Sequence, residues 1–136
     1  MDENEIAEKR LRTLAMAHRV GGLVTWFSGY GLGLMAKRMW EAYRDGEVQP
    51  NQETIVMTIT VVFGVAAALC AVHGALMLMV ARWIAWRVKF TSVYFWSAIN
   101  AIIFPTGTLL FVYTAGVLSR EELRNRFNPP PPTATR

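Results

Sequence analysis

Hydrophobic residues fall into three long runs without charged side chains, at 20–36, 54–80 and 90–118. The charged residues lie at the ends of these runs and in the segments between them. A water-soluble domain of this length usually distributes its charges along amphipathic elements. The pattern therefore predicts helices that cross a lipid bilayer.

The run from Phe90 to Leu118 contains about 29 residues, which as one straight helix would be roughly 43 Å long, against a hydrocarbon core of about 30 Å. The turn sequence Phe104-Pro105-Thr106-Gly107 interrupts it near the middle. Proline cannot donate to the helix ladder, and glycine tolerates unusual dihedral angles. We expect two antiparallel helices that meet at a tight Pro-Gly turn.

A single span with a proline kink is the alternative to this hairpin, because transmembrane helices tolerate proline. The basic residues number four before the first run, three in the next segment, three before Phe90 and four after Leu118. Four spans with a cytoplasmic N-terminus place eleven basic residues inside and three outside. Three spans divide them equally. The positive-inside rule therefore favours four spans with both termini cytoplasmic.

The expected fold is all-α, a polytopic membrane protein with four transmembrane helices. Residues 1–127 form one membrane domain, with spans at about 20–36, 54–80, 83–104 and 105–119. A short cytosolic helix precedes the first span, and the charged segment from Lys37 to Glu53 is expected to be a loop because it contains Asp-Gly and Gln-Pro turn signals. The second helix of the hairpin is expected to continue to about Phe127. The proline-rich tail, 128–136, is expected to be disordered.

Composition supports a membrane protein and argues against other classes. Hydrophobic residues make up 53% of the chain and charged residues 18%. The net charge of +4 lies near the span ends, as expected for topology and head-group attraction rather than nucleic-acid binding. Cys70 is the only cysteine, so neither an internal disulfide nor a thiolate metal cluster is expected.

Small residues recur every three or four positions in the first two runs, and this spacing lets helices approach closely. The partner helix belongs either to the same chain or to a second copy. The expected packing positions are Gly21, Thr25, Gly29, Gly33, Gly64, Ala68, Ala71 and Ala75.

Polar residues inside the runs are few: His73, Asn100 and Thr108 are the intramembrane candidates. His73 and Asn100 are expected to hydrogen-bond neighbouring helices. Two histidines raise the question of a haem, but His18 is expected near the cytoplasmic surface and His73 roughly 13 Å deep, which argues against one shared iron. No catalytic constellation or metal-spaced cluster is visible, so neither enzymatic activity nor a cofactor is expected.

The stretch Leu14-Ala15-Met16-Ala17-His18-Arg19-Val20-Gly21-Gly22, and the stretch from Phe104-Pro105-Thr106-Gly107-Thr108 to Thr114, resemble a family of small uncharacterised four-span bacterial membrane proteins. The resemblance covers about Leu11 to Phe127. Phe111 departs from the pattern, since relatives commonly have glycine there. The resemblance implies a four-helix fold in a bacterial inner membrane and no established activity.

These observations favour a structural or accessory membrane subunit, in contact with the bilayer and either homo-oligomeric or part of a larger assembly. A small-solute or ion permeation component, lined by Asn100, His73 and Thr108, is the alternative. Tetrapyrrole binding through His73 alone is a weaker one.

Overall fold

The computed structural model describes residues 3–88, 90–103 and 105–127, and these form helices joined by short connections, with no strand among them. The prediction of an all-α chain is confirmed. In chain order the helices are α1 (Glu3–Arg44), α2 (Glu53–Trp86), α3 (Phe90–Ile103), α4 (Pro105–Leu118) and α5 (Glu121–Phe127). Phe104 of the predicted turn and the predicted tail, 128–136, lie outside the described residues.

Helix α1 is one continuous helix of 42 residues, so the N-terminal segment and the first apolar run belong to the same helix, and the prediction of a loop beginning at Lys37 is wrong. The segment after Lys37 is helical, and Lys37 Nζ lies 3.7 Å from the Glu41 carboxylate in an i,i+4 ion pair. The helix ends in a Schellman motif at Gly46, whose φ of 74° suits glycine, and Glu47 N–H donates to the Ala42 carbonyl at 3.0 Å. Helix α1 therefore ends at the turn signal Asp45-Gly46 and not at Lys37.

Helix α2 continues to Trp86, and α3 begins only at Phe90, so the predicted start of the third helix at Trp83 is wrong. The chain leaves α2 through a second Schellman motif. Here Arg87 adopts φ 55°, Arg87 N–H donates to the Ile84 carbonyl at 3.1 Å, and Val88 N–H to the Trp83 carbonyl at 3.1 Å. Arginine occupies the position that glycine usually takes, so no turn residue in the sequence marks this helix end.

Helices α3 and α4 run antiparallel. Thr108 Oγ1 donates to the Ala101 carbonyl at 2.9 Å, and farther along the pair the rings of Tyr94 and Phe111 lie 5.5 Å apart. A continuous helix would separate residues 101 and 108 by about 10 Å along its axis. The predicted reversal is therefore present, and a single kinked helix is not. Helix α4 ends at Leu118 rather than near Phe127, and the separate helix α5 follows.

The chain divides into two compact units. The first comprises Met1–Gly21 and Leu76–Arg136, and the second comprises Gly22–Ala75. The first unit has a buried apolar core to which every helix contributes. Its members are Ala7, Leu11, Leu14, Ala15, Val80, Ile84, Val93, Val117, Leu118, Leu123 and Phe127. Leu123 and Phe127 anchor α5, four residues apart on one face of that helix.

The second unit contains the C-terminal half of α1, the loop 45–52 and most of α2. A β-carbon on Gly29 would lie 2.8 Å from Cys70 Cβ, and one on Gly33 would lie 3.8 Å from Ala67 Cβ. Because the residue number falls on α2 as it rises on α1, the two segments are antiparallel. Large apolar side chains on their outer faces are exposed, including Trp26 and Phe27.

Helix α2 is long and apolar enough to cross a membrane, and it is the only helix of the described chain that meets both conditions. Helices α3 and α4 have 14 residues each, about 21 Å in length. In α1 the apolar stretch 20–36 is interrupted by five glycines and by polar residues. By length and composition, one helix of the described chain could therefore cross a membrane, and four crossings are not shown.

Candidate functional site

The hairpin turn is built around a very close approach of two backbones. Gly107 is buried, and a β-carbon built on it would overlap the Asn100 carbonyl oxygen and lie 2.6 Å from the Asn100 carbonyl carbon. Only glycine permits this approach. Thr108, predicted to be an intramembrane polar residue, is exposed and donates its hydroxyl to the Ala101 carbonyl. Pro105 and Thr106 begin α4, and their side chains lie outside the described part of the chain.

A buried histidine-threonine contact joins α1 to α4. His18 Nδ1 lies 3.1 Å from the Leu14 carbonyl oxygen, and Nε2 lies 3.5 Å from Thr114 Oγ1. A carbonyl only accepts, so Nδ1 carries a proton and donates. The Thr114 hydroxyl has a single proton, which it donates either to the Leu110 carbonyl at 2.6 Å or to Nε2, because Nε2 carries no proton in a neutral ring protonated at Nδ1. Burial lowers the pKa of His18, and the hydrogen bond to Leu14 opposes this only in part. The neutral imidazole is therefore favoured at pH 7.

Asn100 and Ser97 are three positions apart on the same face of α3, with 2% and 1% of their surfaces exposed. Neither the Ser97 hydroxyl nor the Asn100 amide has a hydrogen-bond partner among the described residues. The expected bond from Asn100 to a neighbouring helix is therefore absent from the described chain. Buried unsatisfied polar groups are costly and are usually explained by strain, by water or by function.

His73, predicted to be an intramembrane polar residue, lies in the second unit and is 1% exposed. A tetrapyrrole could reach its ring only if the surrounding packing opened. Within the described residues no group of three or more His, Cys, Asp or Glu side chains is arranged to hold a metal ion.

The predicted small-residue positions are distributed over two kinds of environment. Gly29 lies against α2 of its own chain, and a β-carbon on Gly21 would lie 2.9 Å from Met77 Cε and 3.2 Å from Leu110 Cδ1. Thr25 and Ala71 are half-buried, as is Gly33. Gly64, Ala68 and Ala75 are exposed on α2, and nothing lies within 4 Å of a β-carbon built on Gly64.

An ion cluster that sequence reasoning missed centres on Glu8 of α1. Its carboxylate contacts the guanidinium of Arg87, lies 3.4 Å from Arg12 Nε, and accepts from Arg126 Nη1 at 3.3 Å. Arg126 also donates to Asn4 Oδ1 at 2.7 Å. Glu8 and Arg126 are 118 positions apart, so only the i,i+4 pair with Arg12 could have been found from spacing. The cluster ties α1, the α2–α3 connection and α5 together.

No protein-family description, curated protein or solved structure matches this chain. The resemblance to four-span bacterial membrane proteins therefore stays an expectation from the sequence.

Proposed function

We propose that the chain is an integral membrane protein that acts as a structural or accessory component of a membrane assembly. One observation carries the proposal. In the most apolar 18-residue stretch of α2, a helix of 34 residues, only 6% of the residues are buried. Contiguous apolar surface of this extent marks a contact with lipid or with another protein. The exposed apolar faces of α1 and α2 in the second unit supply that surface.

The proposed membrane topology has two crossings, the middle of α1 and α2, followed by a hairpin that enters and leaves from the cytoplasmic side. Helices α3 and α4 are each about 21 Å long, and a segment of 10–14 apolar residues is typical of a re-entrant or core helix rather than a span. The buried core of the first unit also supports a partly aqueous cap, because lipid-facing helices do not require such a core.

The register between α1 and α4 limits how deeply the hairpin enters. His18 lies beside Thr114 and Gly21 beside Leu110, so the two helices are antiparallel there. Helix α4 begins five residues before Leu110, about 7.5 Å farther along its axis. The first predicted span begins at Val20. We therefore propose that the turn lies about a third of the way into a hydrocarbon core of about 30 Å.

The distribution of basic residues fits this topology as well as four spans. With two crossings, eleven basic residues are cytoplasmic and three lie on the other side, because the hairpin tip carries none. The charge rule requires only that the chain return to the cytoplasmic side after α3 and α4. Both termini are proposed to be cytoplasmic, in a bacterial inner membrane.

Single-cysteine labelling distinguishes the two topologies. Leu109 is 75% exposed near the turn, and Cys70 can be replaced by alanine to give a cysteine-free background. In intact cells we expect Leu109→Cys to resist a membrane-impermeant maleimide, while Gln49→Cys in the loop reacts and Ser119→Cys reacts only after permeabilisation. Labelling of Leu109→Cys from outside would support four crossings instead.

The accessory role requires a surface for a protein partner, and we propose the exposed face of α2 that carries Gly64 and Ala68. Small residues four apart allow close contact between membrane helices. Gly29 and Gly33 pack within the chain, so they are poor positions to test assembly. The double variant Gly64→Ile/Ala68→Ile should lose a detergent-stable complex, and Val62→Phe on a different face should keep it. A wild-type protein that is monomeric and captures no partner in mild detergent would contradict the accessory role.

A permeation role is the second candidate, and the unsatisfied polar groups of Ser97 and Asn100 favour it. Such groups could bind water or a polar solute that passes the hairpin. Flux through reconstituted vesicles that disappears in Asn100→Leu would support permeation. Inert vesicles containing folded protein would remove this candidate.

A further inference from the structure

A groove of about 960 Å³ runs between the N-terminal part of α1 and the end of α2, entirely within the first unit. Its wall is apolar along most of its length, where Leu11, Met16, Val20 and Ile84 line it. The charged lining residues are Glu8, Arg12, Arg19 and Arg87. The groove is therefore amphipathic, and it lies where the first predicted span meets the cytoplasmic surface.

The charged part of the groove has an excess of positive charge. Three arginines face one glutamate, which gives a net charge of +2. Arg12 and Arg87 both approach the Glu8 carboxylate, which Arg126 also contacts from outside the groove. Arg19 is exposed and forms no ion pair with any residue that the structure describes. An anionic group would balance this excess, and guanidinium groups suit phosphate oxygens because they can donate two parallel hydrogen bonds.

The backbone at Arg87 places a guanidinium group at the groove although another residue would suit the backbone better. Its φ of 55° lies in the left-handed region, which glycine adopts without a steric penalty and other residues adopt at a cost. Strained positions of this kind often occur at ligand clamps. Arg87 therefore combines a disfavoured conformation with a charged side chain that lines the groove.

We propose that this groove binds an anionic phospholipid of the cytoplasmic leaflet, with its phosphate at Arg19 and Arg87 and the start of an acyl chain along Met16 and Val20. The inference rests on the proposed membrane location. The apolar wall favours a lipid over free phosphate, which would leave that wall exposed to water. Basic pockets beside membrane helices on the cytoplasmic side are suited to acidic head groups.

The test uses the full chain purified in a neutral detergent and titrated with dioleoylphosphatidylglycerol or dioleoylphosphatidylcholine, with bound lipid counted by native mass spectrometry. We expect phosphatidylglycerol to bind more tightly than phosphatidylcholine. Arg19→Gln and Arg87→Gly should each weaken phosphatidylglycerol binding about fivefold, the factor that corresponds to about 1 kcal/mol per basic residue. Arg38→Gln, an exposed arginine of α1 in the second unit, should leave binding unchanged.

Arg87→Gly also separates lipid binding from a purely structural role. Glycine suits the left-handed conformation, and Arg12 and Arg126 still pair with Glu8, so the lipid-free unfolding midpoint should not fall. A lower midpoint with unchanged lipid preference would show that Arg87 is structural and overturn the proposal. Equal binding of the two lipids would overturn it as well, as would equally effective displacement by inorganic phosphate at the same concentration.

Alkaline carbonate extraction of cell membranes tells the two proposals apart. If the protein stays in the membrane but shows no preference for phosphatidylglycerol, the lipid site is refuted and the membrane location stands. If carbonate releases the protein, both are refuted.

Discussion

Replacing Gly107 by alanine tests the contact on which the hairpin depends. The new β-carbon would overlap the Asn100 carbonyl oxygen, and it would lie 2.6 Å from the carbonyl carbon and 3.2 Å from the Ala101 nitrogen. All three are backbone atoms of α3, so no side chain can rotate to make room. The two helices would have to separate at the turn.

The expected loss of stability combines three effects. Overpacking of a close contact costs about 1–3 kcal/mol. Separation of the helices also weakens the hydrogen bond from Thr108 to the Ala101 carbonyl, which contributes about 1 kcal/mol. Alanine returns about 0.5–1 kcal/mol because it loses less backbone entropy than glycine in a helix. We expect Gly107→Ala to lower the free energy of unfolding by about 2 kcal/mol.

Gly116→Ala is the matched control in the same helix. Gly116 is exposed, and nothing lies within 4 Å of a β-carbon built on it, so alanine should raise stability by about 0.5–1 kcal/mol. Equilibrium unfolding in mixed micelles, followed by tryptophan fluorescence, measures both variants against the wild type. If the two alanines changed the free energy of unfolding equally, the close backbone approach at the turn would be refuted.

Three further predictions concern packing, polar satisfaction and pH. Gly29→Ala should destabilise the protein by about 1–3 kcal/mol because its β-carbon would meet Cys70 Cβ at 2.8 Å. Gly31→Ala should not, because nothing lies within 4 Å of a β-carbon at that position. Equal unfolding midpoints for the two variants would contradict packing of Gly29 within the chain. Ser97→Ala should raise the free energy of unfolding by about 1 kcal/mol, since it removes a buried hydroxyl without a described partner; a loss of stability would indicate a bound water or solute. The folded-state pKa of His18 is lowered below its ordinary value of 6.5, so the free energy of unfolding should fall as pH decreases from about 6.5 towards that lowered pKa, by at most about 1.4 kcal/mol per pH unit. His18→Gln should abolish this pH dependence. If the variant kept it, another group would be responsible.

The all-helical fold and the reversal at Pro105-Gly107 could be predicted because local chemistry determines them. A run too long for one span, interrupted by proline and glycine, has few conformations available. The end of α1 at Gly46 had a sequence signal too, since Asp-Gly is a strong turn pair. The charge of Lys37 and Arg38 nevertheless suggested a loop, although i,i+4 ion pairs stabilise a helix that continues through charged residues.

The end of α2 and the ion cluster could not be predicted, for different reasons. Arginine at a left-handed C-cap has no distinctive sequence pattern, so Trp83 seemed to begin a new helix. The contacts of Glu8 with Arg87 and Arg126 join residues that are distant in sequence, because the α2–α3 connection and α5 both lie beside α1 in the folded first unit. Periodicity within one helix contains no information about such pairs.

The count of basic residues could not determine the number of membrane spans. Charge bias reports on which side each connection lies, and a hairpin without basic residues at its tip contributes nothing to that count, whether or not it crosses. The proposed two-crossing topology rests instead on helix length and on the register between α1 and α4: α3 and α4 are each about 21 Å long, and α4 contacts Gly21 within five residues of its start, against a core of about 30 Å. The core of the first unit then has a physical purpose. It holds the short hairpin against the ends of α1 and α2, where the Glu8 cluster provides the polar contacts that lipid tails cannot.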